Sequence, residues 1–198
     1  MIRGNRIIQI GSKEIGTVDR FILTGPPGSG KTTIIRHLAE HGLATVDEAV
    51  TDLVTEWQNQ GIDEPWTRPS FVDAIVEEQR DRQIDLGNSV GIQFYDRSPI
   101  CTLALANWLG HPVSDAVRLE IERIQRERVY RPEVFFVRSL GFVTPTEVRR
   151  ISLADSIRFG ELHEETYIAL GFKLIYIDSA TALQRVEAIQ RHVGRLRE

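Results

Sequence analysis

The chain has 198 residues and a formal net charge of −4, with 41% hydrophobic and 26% charged residues. That is enough for one domain with its own core and too short for two full ones, and the composition excludes fibrous, collagen-like and largely disordered chains. A mildly acidic balance also excludes coating of nucleic acid or of an anionic membrane by bulk electrostatics.

In chain order, the sequence opens with an N-terminal extension over residues 1–19. There Ile7-Ile8-Gln9-Ile10 and Ile15-Gly16-Thr17-Val18 flank Gly11-Ser12-Lys13-Glu14 in a hairpin pattern. A single domain over 20–198 follows. Phe21-Ile22-Leu23 reads as an apolar strand running into a Gly/Pro loop, and Thr32 to His41 as a helix stopped by Gly42. Ala44-Thr45-Val46 is a second strand ending at Asp47-Glu48, with a helical stretch to Gln60. Ser70-x-x-Asp73 has the spacing of a capping box and predicts a helix to Leu86. Gly91 to Tyr95 is a third strand ending at Asp96, after which Ser98 caps a helix with Pro99 at its first position, running to Leu109. A helix over 114–129 and a strand from Val134 to Val137 come next. Thr144-Pro145-Thr146-Glu147 is a helix start, and a second helix lies within Leu153 to Leu170. A strand from Lys173 to Ile177 and a last helix capped by Thr181-x-x-Gln184 complete the pattern.

Alternating strands and helices predict parallel pairing, and strands that are continuous apolar runs predict a sheet covered on both faces. Ligands of such sheets sit at the carboxyl ends of the strands, so the chemistry is expected just after residues 24, 46, 95, 138 and 177. The lone cysteine, Cys101, rules out an internal disulfide or a Cys-based zinc site. The N-terminus has no apolar run behind Arg3 and Arg6, and no segment approaches the ~18 apolar residues of a membrane helix. A cytoplasmic protein is expected.

The strongest signal is Gly25-Pro26-Pro27-Gly28-Ser29-Gly30-Lys31-Thr32, followed by Thr33: the full G-x-x-x-x-G-K-[ST] pattern between a strand and a helix. Glycines let the backbone turn its N–H groups toward phosphate oxygens, and the helix adds its positive end. Lys31, one of only three lysines beside 21 arginines, supplies a charge for the β- and γ-phosphates. The Thr32 hydroxyl is placed for Mg²⁺. Phosphoryl transfer needs a further carboxylate, to hold the metal or to take the acceptor's proton. Asp47 or Glu48, and Asp96, fall at strand ends on the same edge as the loop. Arg97 follows Asp96 at a helix start, where a guanidinium can clamp an acceptor or a phosphate. Ser98 reads as a cap.

After the fourth strand come Arg138, Arg149, Arg150 and Arg158, in or near a capped helical segment that reads as an Arg-bearing lid against a solvated-face alternative. Arg149 and Arg150 point about 100° apart on a helix, so one of the two would face the site. Trp57, Trp66 and Trp108 are expected to pack rather than stack on a ligand, and Gln79, Arg80 and Arg82 are weaker acceptor-pocket candidates. The five histidines, at 37, 41, 111, 163 and 192, show no metal-ligand spacing, and Cys101 is expected to be buried.

Four stretches carry a family resemblance: Thr24 to Thr33, Val46-Asp47-Glu48-Ala49, Tyr95-Asp96-Arg97-Ser98-Pro99, and Glu161 to Tyr167 before Leu170-Gly171-Phe172. Over about residues 20–178 the chain resembles the small AAA-domain P-loop proteins related to the nicotinamide riboside kinase domain of the bacterial NAD-synthesis regulator. More distantly it is similar to deoxynucleoside and thymidylate kinases. The resemblance implies a three-layer α/β P-loop fold on a parallel five-stranded sheet, an Arg-bearing lid, and ATP as donor. It also implies Glu48 or Asp47 as the acceptor-side carboxylate, with Glu48 preferred, and Asp96-Arg97 as the catalytic pair. The expected activity is that of a Mg-ATP-dependent kinase acting on a small, nucleoside-like molecule, with Thr32 and Asp96 on the metal and Arg97 and a lid arginine (149, 150 or 158) on the transferred group. The alternative is a nucleotide-dependent switch or NTPase whose output is a protein partner. GTP stays open, although no guanine-recognition motif is seen. A homodimer is allowed, and no membrane or bulk nucleic-acid partner is expected.

Overall fold

The computed structural model describes residues 18–87, 91–142 and 151–196. Its elements in order are β1 (Val18–Thr24), α1 (Lys31–Glu40), β2 (Ala44–Val46), α2 (Ala49–Asn59), α3 (Pro69–Leu86), β3 (Gly91–Asp96), α4 (Pro99–Leu109), α5 (Asp115–Glu127), β4 (Glu133–Val137), α6 (Leu153–Ala169), β5 (Lys173–Ile177) and α7 (Ala182–Leu196). The strands form one sheet in the order β2-β3-β1-β4-β5, with every pair parallel.

Side-chain alternation along β1 sorts the core into two layers. Phe21 and Leu23 join Phe94, Phe135 and Val137 on one face, beneath Ile34, Ile35 and Leu38 of α1 and Val186, Ile189 and Val193 of α7. Ile22, Tyr95 and Val134 face the other way, onto α3, α4, α5 and Tyr167 of α6. Each such side chain, taken fully out of water, contributes about 1.5–3 kcal/mol, so the two layers fix the sheet's position from both sides. A smaller cluster ties Leu53 and Val54 of α2 to Phe71 and Ile75 of α3. Together these give the three-layer α/β architecture that the alternating pattern predicts.

Differences from the sequence reading are local. The first strand starts at Val18, two residues before the boundary expected at 20. The helix α3 is not opened by Ser70 and Asp73: Arg68 is its N-cap, Pro69 is already inside the first turn, and the Asp73 carboxylate instead accepts from Ser114 Oγ. Proline's fixed φ favours a first-turn position and moves the N-cap two residues back, from Ser70 to Arg68. The Ser98 cap and the Thr181–Gln184 box form as expected. The hairpin over residues 7–18 and the helix start at Thr144 lie outside the described residues, apart from Val18.

The order reverses at β1, which stands between β3 and β4. In an open parallel sheet the crevice outside the carboxyl ends at such a reversal is where ligands bind. The loop after Thr24 occupies that position.

Candidate phosphate-binding and catalytic site

The loop Gly25–Gly30 is held from below and from both sides. Gly25 has φ +131°, and a Cβ there would lie 2.3 Å from the Val137 carbonyl oxygen, so only glycine fits against β4. Gly30, left-handed at φ 88°, is the N-cap of α1. Lys31 Nζ donates to the carbonyl oxygens of Gly25 and Pro26, at 3.1 and 2.9 Å, and to Ser29 Oγ at 3.3 Å. Burial, and next the Arg97 charge, pull this ammonium down to about 7, while Asp96 and Glu48 oppose the change.

Asp96 ends β3 level with Leu23, two residues ahead of the loop. Its Oδ2 accepts from Thr32 Oγ1 at 2.9 Å, and its Oδ1 is buried without a hydrogen-bond partner. Burial, and next Glu48, push this carboxyl up to about 6 against the pull of Lys31 and Arg97. A hydroxyl and a carboxylate brought together, with one buried oxygen unpaired, fit a hard divalent cation that takes its remaining ligands from phosphate and water. Among the described residues there is no group of three or more His, Cys, Asp or Glu that could hold a metal ion.

Glu48 stands opposite. In the β2–β3 register Val46 pairs with Tyr95, so continuing two residues brings Glu48 level with Arg97 and Asp47 level with Asp96. Glu48 keeps extended backbone angles (φ −63°, ψ 126°) before α2 begins, so the strand's alternation persists and sends the two carboxylates opposite ways. Glu48 Oε1 accepts from Arg97 Nε at 2.5 Å, and its Oε2 accepts from Thr51 Oγ1. The Asp47 side chain is exposed, and its carbonyl accepts from Arg82. Of the two alternatives, Glu48 reaches the site and Asp47 does not.

Arg97 has φ 75°, a left-handed conformation that costs a non-glycine residue on the order of 1–3 kcal/mol. It is held there by its N–H to Leu23 O, by Glu48, and by Nη1 against His163 Nε2 at 3.2 Å. Burial opposes the guanidinium charge, and Glu48 more than restores it. A cavity of about 200 Å³ is lined by Gly28, Gly30, Lys31, Thr32, Thr33, Glu48 and Arg97.

The loop's far side is stitched by a residue that the sequence reading missed. Arg185 of α7, 2% exposed, donates to Ser29 O at 2.6 Å, to Asp178 O at 3.0 Å and to Arg138 O at 3.4 Å. The helix α6 closes the loop from above: Ser156 Oγ donates to Pro27 O at 2.8 Å, and a Cβ on Gly160 would meet Pro26 at 3.1 Å. His163 has no metal-ligand spacing in the sequence, and its partner Arg97 lies 66 residues away, so no local pattern marks it.

Other candidates fall elsewhere. Arg158 is exposed on α6 and lines no part of the cavity. Arg138 stacks over Tyr176 and pairs with Asp178. Arg149 and Arg150 lie outside the described residues. Gln79 is buried and accepts from Thr102, Arg80 pairs with Glu120, and Arg82 binds Asp52 and Glu78. Trp57 packs on Phe71 and Trp108 on Phe159, and Trp66 joins the α2–α3 cluster. Cys101 is buried, within reach of Thr24 and Tyr167. No helix of the described residues is long and apolar enough to cross a membrane.

A family model described as an AAA domain matches residues 20–185. No curated protein sequence matches the chain significantly. Among solved structures, deoxyadenosine kinase from M. mycoides, with dCMP and dCDP bound, superposes with a TM-score of 0.59 at 13% identity, covering 89% of this chain and 99% of that one. NadR in complex with NR gives 0.66 at 19% identity, covering 90% of this chain and 52% of that one. NadR in complex with NAD and AMP-PNP gives 0.64 at 18% identity, covering 90% of this chain and 50% of that one. This chain thus spans about half the length of NadR, and these likenesses establish the fold.

Proposed function

We propose that this chain, which belongs to the AAA-domain family of P-loop proteins, is a Mg-ATP-dependent phosphotransferase that phosphorylates a hydroxyl of a small, nucleoside-like acceptor. One observation carries the reading. The cavity beside the phosphate loop is walled on its other side by a carboxylate–guanidinium pair, Glu48 with Arg97, that is separate from the Thr32–Asp96 pair. Holding a metal-bound triphosphate needs only the second pair; the first supplies what an acceptor hydroxyl requires. The structural neighbours that carry dCMP and dCDP in one case and NR in another support a nucleoside-like acceptor.

In this reading Lys31 and the loop N–H groups bind the β- and γ-phosphates. Thr32 and Asp96 would hold Mg²⁺, which when bound neutralises charge on the phosphate oxygens. Glu48 lines the cavity, and its carboxylate, an acceptor through both oxygens, would accept the acceptor's O–H. As the acceptor oxygen bonds to the γ-phosphorus, the bond from that phosphorus to the β–γ bridging oxygen breaks. ADP leaves, and Glu48 takes the acceptor's proton. Arg97 offsets charge on the transferred group.

The test is ADP release measured across a panel of ribo- and deoxyribonucleosides, including nicotinamide riboside and deoxyadenosine. The reading expects at least one to raise turnover about 100-fold or more above the acceptor-free rate, since positioning alone supplies factors of that size, with a nucleoside monophosphate as product. If no acceptor lifts the slow basal rate while nucleotide state changes a pull-down, the chain is a switch instead.

A further inference from the structure

His163 is fully buried, and both of its ring nitrogens are committed. Nδ1 lies 2.7 Å from the Phe159 carbonyl oxygen, which can only accept, so Nδ1 carries the hydrogen. Nε2 lies 3.2 Å from Arg97 Nη1, which can only donate, so Nε2 presents its lone pair. The two partners together allow one tautomer, the neutral Nδ1–H form. Burial, reinforced by the neighbouring Arg97 charge, holds the ring's pKa well below its ordinary value.

The ring's position on α6 gives this contact its reach. Ser156, Gly160 and His163 are spaced four and three residues apart and so share one helical face. The first donates to Pro27 O, the second packs on Pro26, and the third receives Arg97. One stripe of one helix therefore touches both the phosphate loop and the arginine across the cavity from it. Phe159 braces the ring at 4.4 Å and packs in turn on Trp108 of α4.

We propose that His163 is a positioning residue: its Nε2 fixes the Arg97 guanidinium against Glu48, and α6 thereby sets the distance between the phosphate loop and the acceptor-side pair. The assignment of a catalytic role to Arg97 rests on the function proposed above; the hydrogen-bond arrangement does not. Two substitutions separate the ring's two bonds. The amide of His163→Gln reaches the place of Nε2 and can accept from Arg97, whereas that of His163→Asn reaches only the place of Nδ1.

The experiment is ¹⁵N NMR of the full chain without substrate, with the Arg97 side-chain signals assigned by their loss in Arg97→Lys. The wild type is expected to show the His163 Nδ1–H tautomer at neutral pH and slow guanidinium rotation at Arg97. The slow rotation should be lost in His163→Asn and kept in His163→Gln. The opposite tautomer in the wild type, or unchanged Arg97 signals in His163→Asn, overturns the proposal, and the wild-type tautomer decides even if the Asn variant fails to fold. Once an acceptor is in hand, kcat should fall about 10–100-fold in His163→Asn with the ATP KM within about twofold, and recover to within about fivefold in His163→Gln. Equal kcat in the two variants overturns the role. Absence of any acceptor overturns the kinase reading while the NMR result on the ring stands.

Discussion

Two arginines, Arg97 partly buried and Arg185 fully so, flank one phosphate loop, and they do different work. Arg97 meets a carboxylate and a ring nitrogen, and Glu48 raises its pKa despite burial. Arg185 meets three backbone carbonyls, and burial lowers its pKa with only the exposed Asp178 in opposition. Arg97 lines the cavity and Arg185 does not. Identical side chains thus divide into one that keeps a charged pair beside the cavity and one that sews the loop to β5 and α7. The partner decides the role: a guanidinium on a carboxylate can exchange that partner for a phosphate, whereas one on structural carbonyls holds the chain in place.

The comparison predicts which changes damage chemistry and which damage the scaffold. The largest effect is expected at the Arg97 side. Glu48→Gln should cut acceptor-dependent turnover by about 10²–10⁴-fold, the range for a lost general base, while AMP-PNP still raises the melting temperature as in wild type. Asp47→Asn should stay within about twofold, and the reverse pattern would exchange the two residues' roles. Next is Arg185→Met, which strips Ser29 O and Asp178 O of their donor. It should cost about 2–3 kcal/mol of stability, roughly 4–12 °C in Tm on thermal melting for a chain of this size. Arg97→Lys should lose turnover with a smaller loss of Tm than Arg185→Met. If the two arginines give the same profile, the division fails.

Ligand binding should also depend on pH. Lys31 is charged below about 7, so nucleotide affinity should fall as pH rises through that value. Asp96 is ionised above about 6, so affinity for Mg²⁺ should fall as pH drops through it. Each limb should change by at most about tenfold per pH unit. Calorimetric titrations check the assignment: Lys31→Met should flatten the alkaline limb and Asp96→Asn the acid limb. The smallest effect is expected from Gly160→Ala, whose methyl would press α6 off Pro26. The cost should be about 1 kcal/mol, at the low end for overpacking, and small changes in both Tm and nucleotide affinity would report it.

What the sequence makes legible follows a physical boundary. Strand and helix periods, the caps at Ser98 and Thr181, and the phosphate loop are local patterns, and they appear in the structure where local chemistry puts them. The register that sends Glu48 inward and Asp47 outward needs the pairing of β2 with β3, although continued alternation before the buried Ala49 was a usable hint. Arg185 and His163 stand 156 and 66 residues from their partners at the loop and at Arg97, so no window of sequence contains the interaction. One signal was available for α6: Ser156, Gly160 and His163 put two small residues and a histidine on one face, a pattern that marks close approach of another backbone. The capping box at Ser70 failed because Pro69 competes for the same turn, and proline's fixed φ prevailed.

The central claim is that the Gly25–Thr33 loop, with Asp96, cradles a magnesium-bound triphosphate. Isothermal calorimetry of the full chain with Mg²⁺ and AMP-PNP tests it most directly. The account predicts a saturable one-to-one binding heat that weakens by about tenfold or more in Lys31→Ala, the loss of a charge-assisted contact. A flat thermogram for the wild type, or equal affinity in the variant, would contradict it.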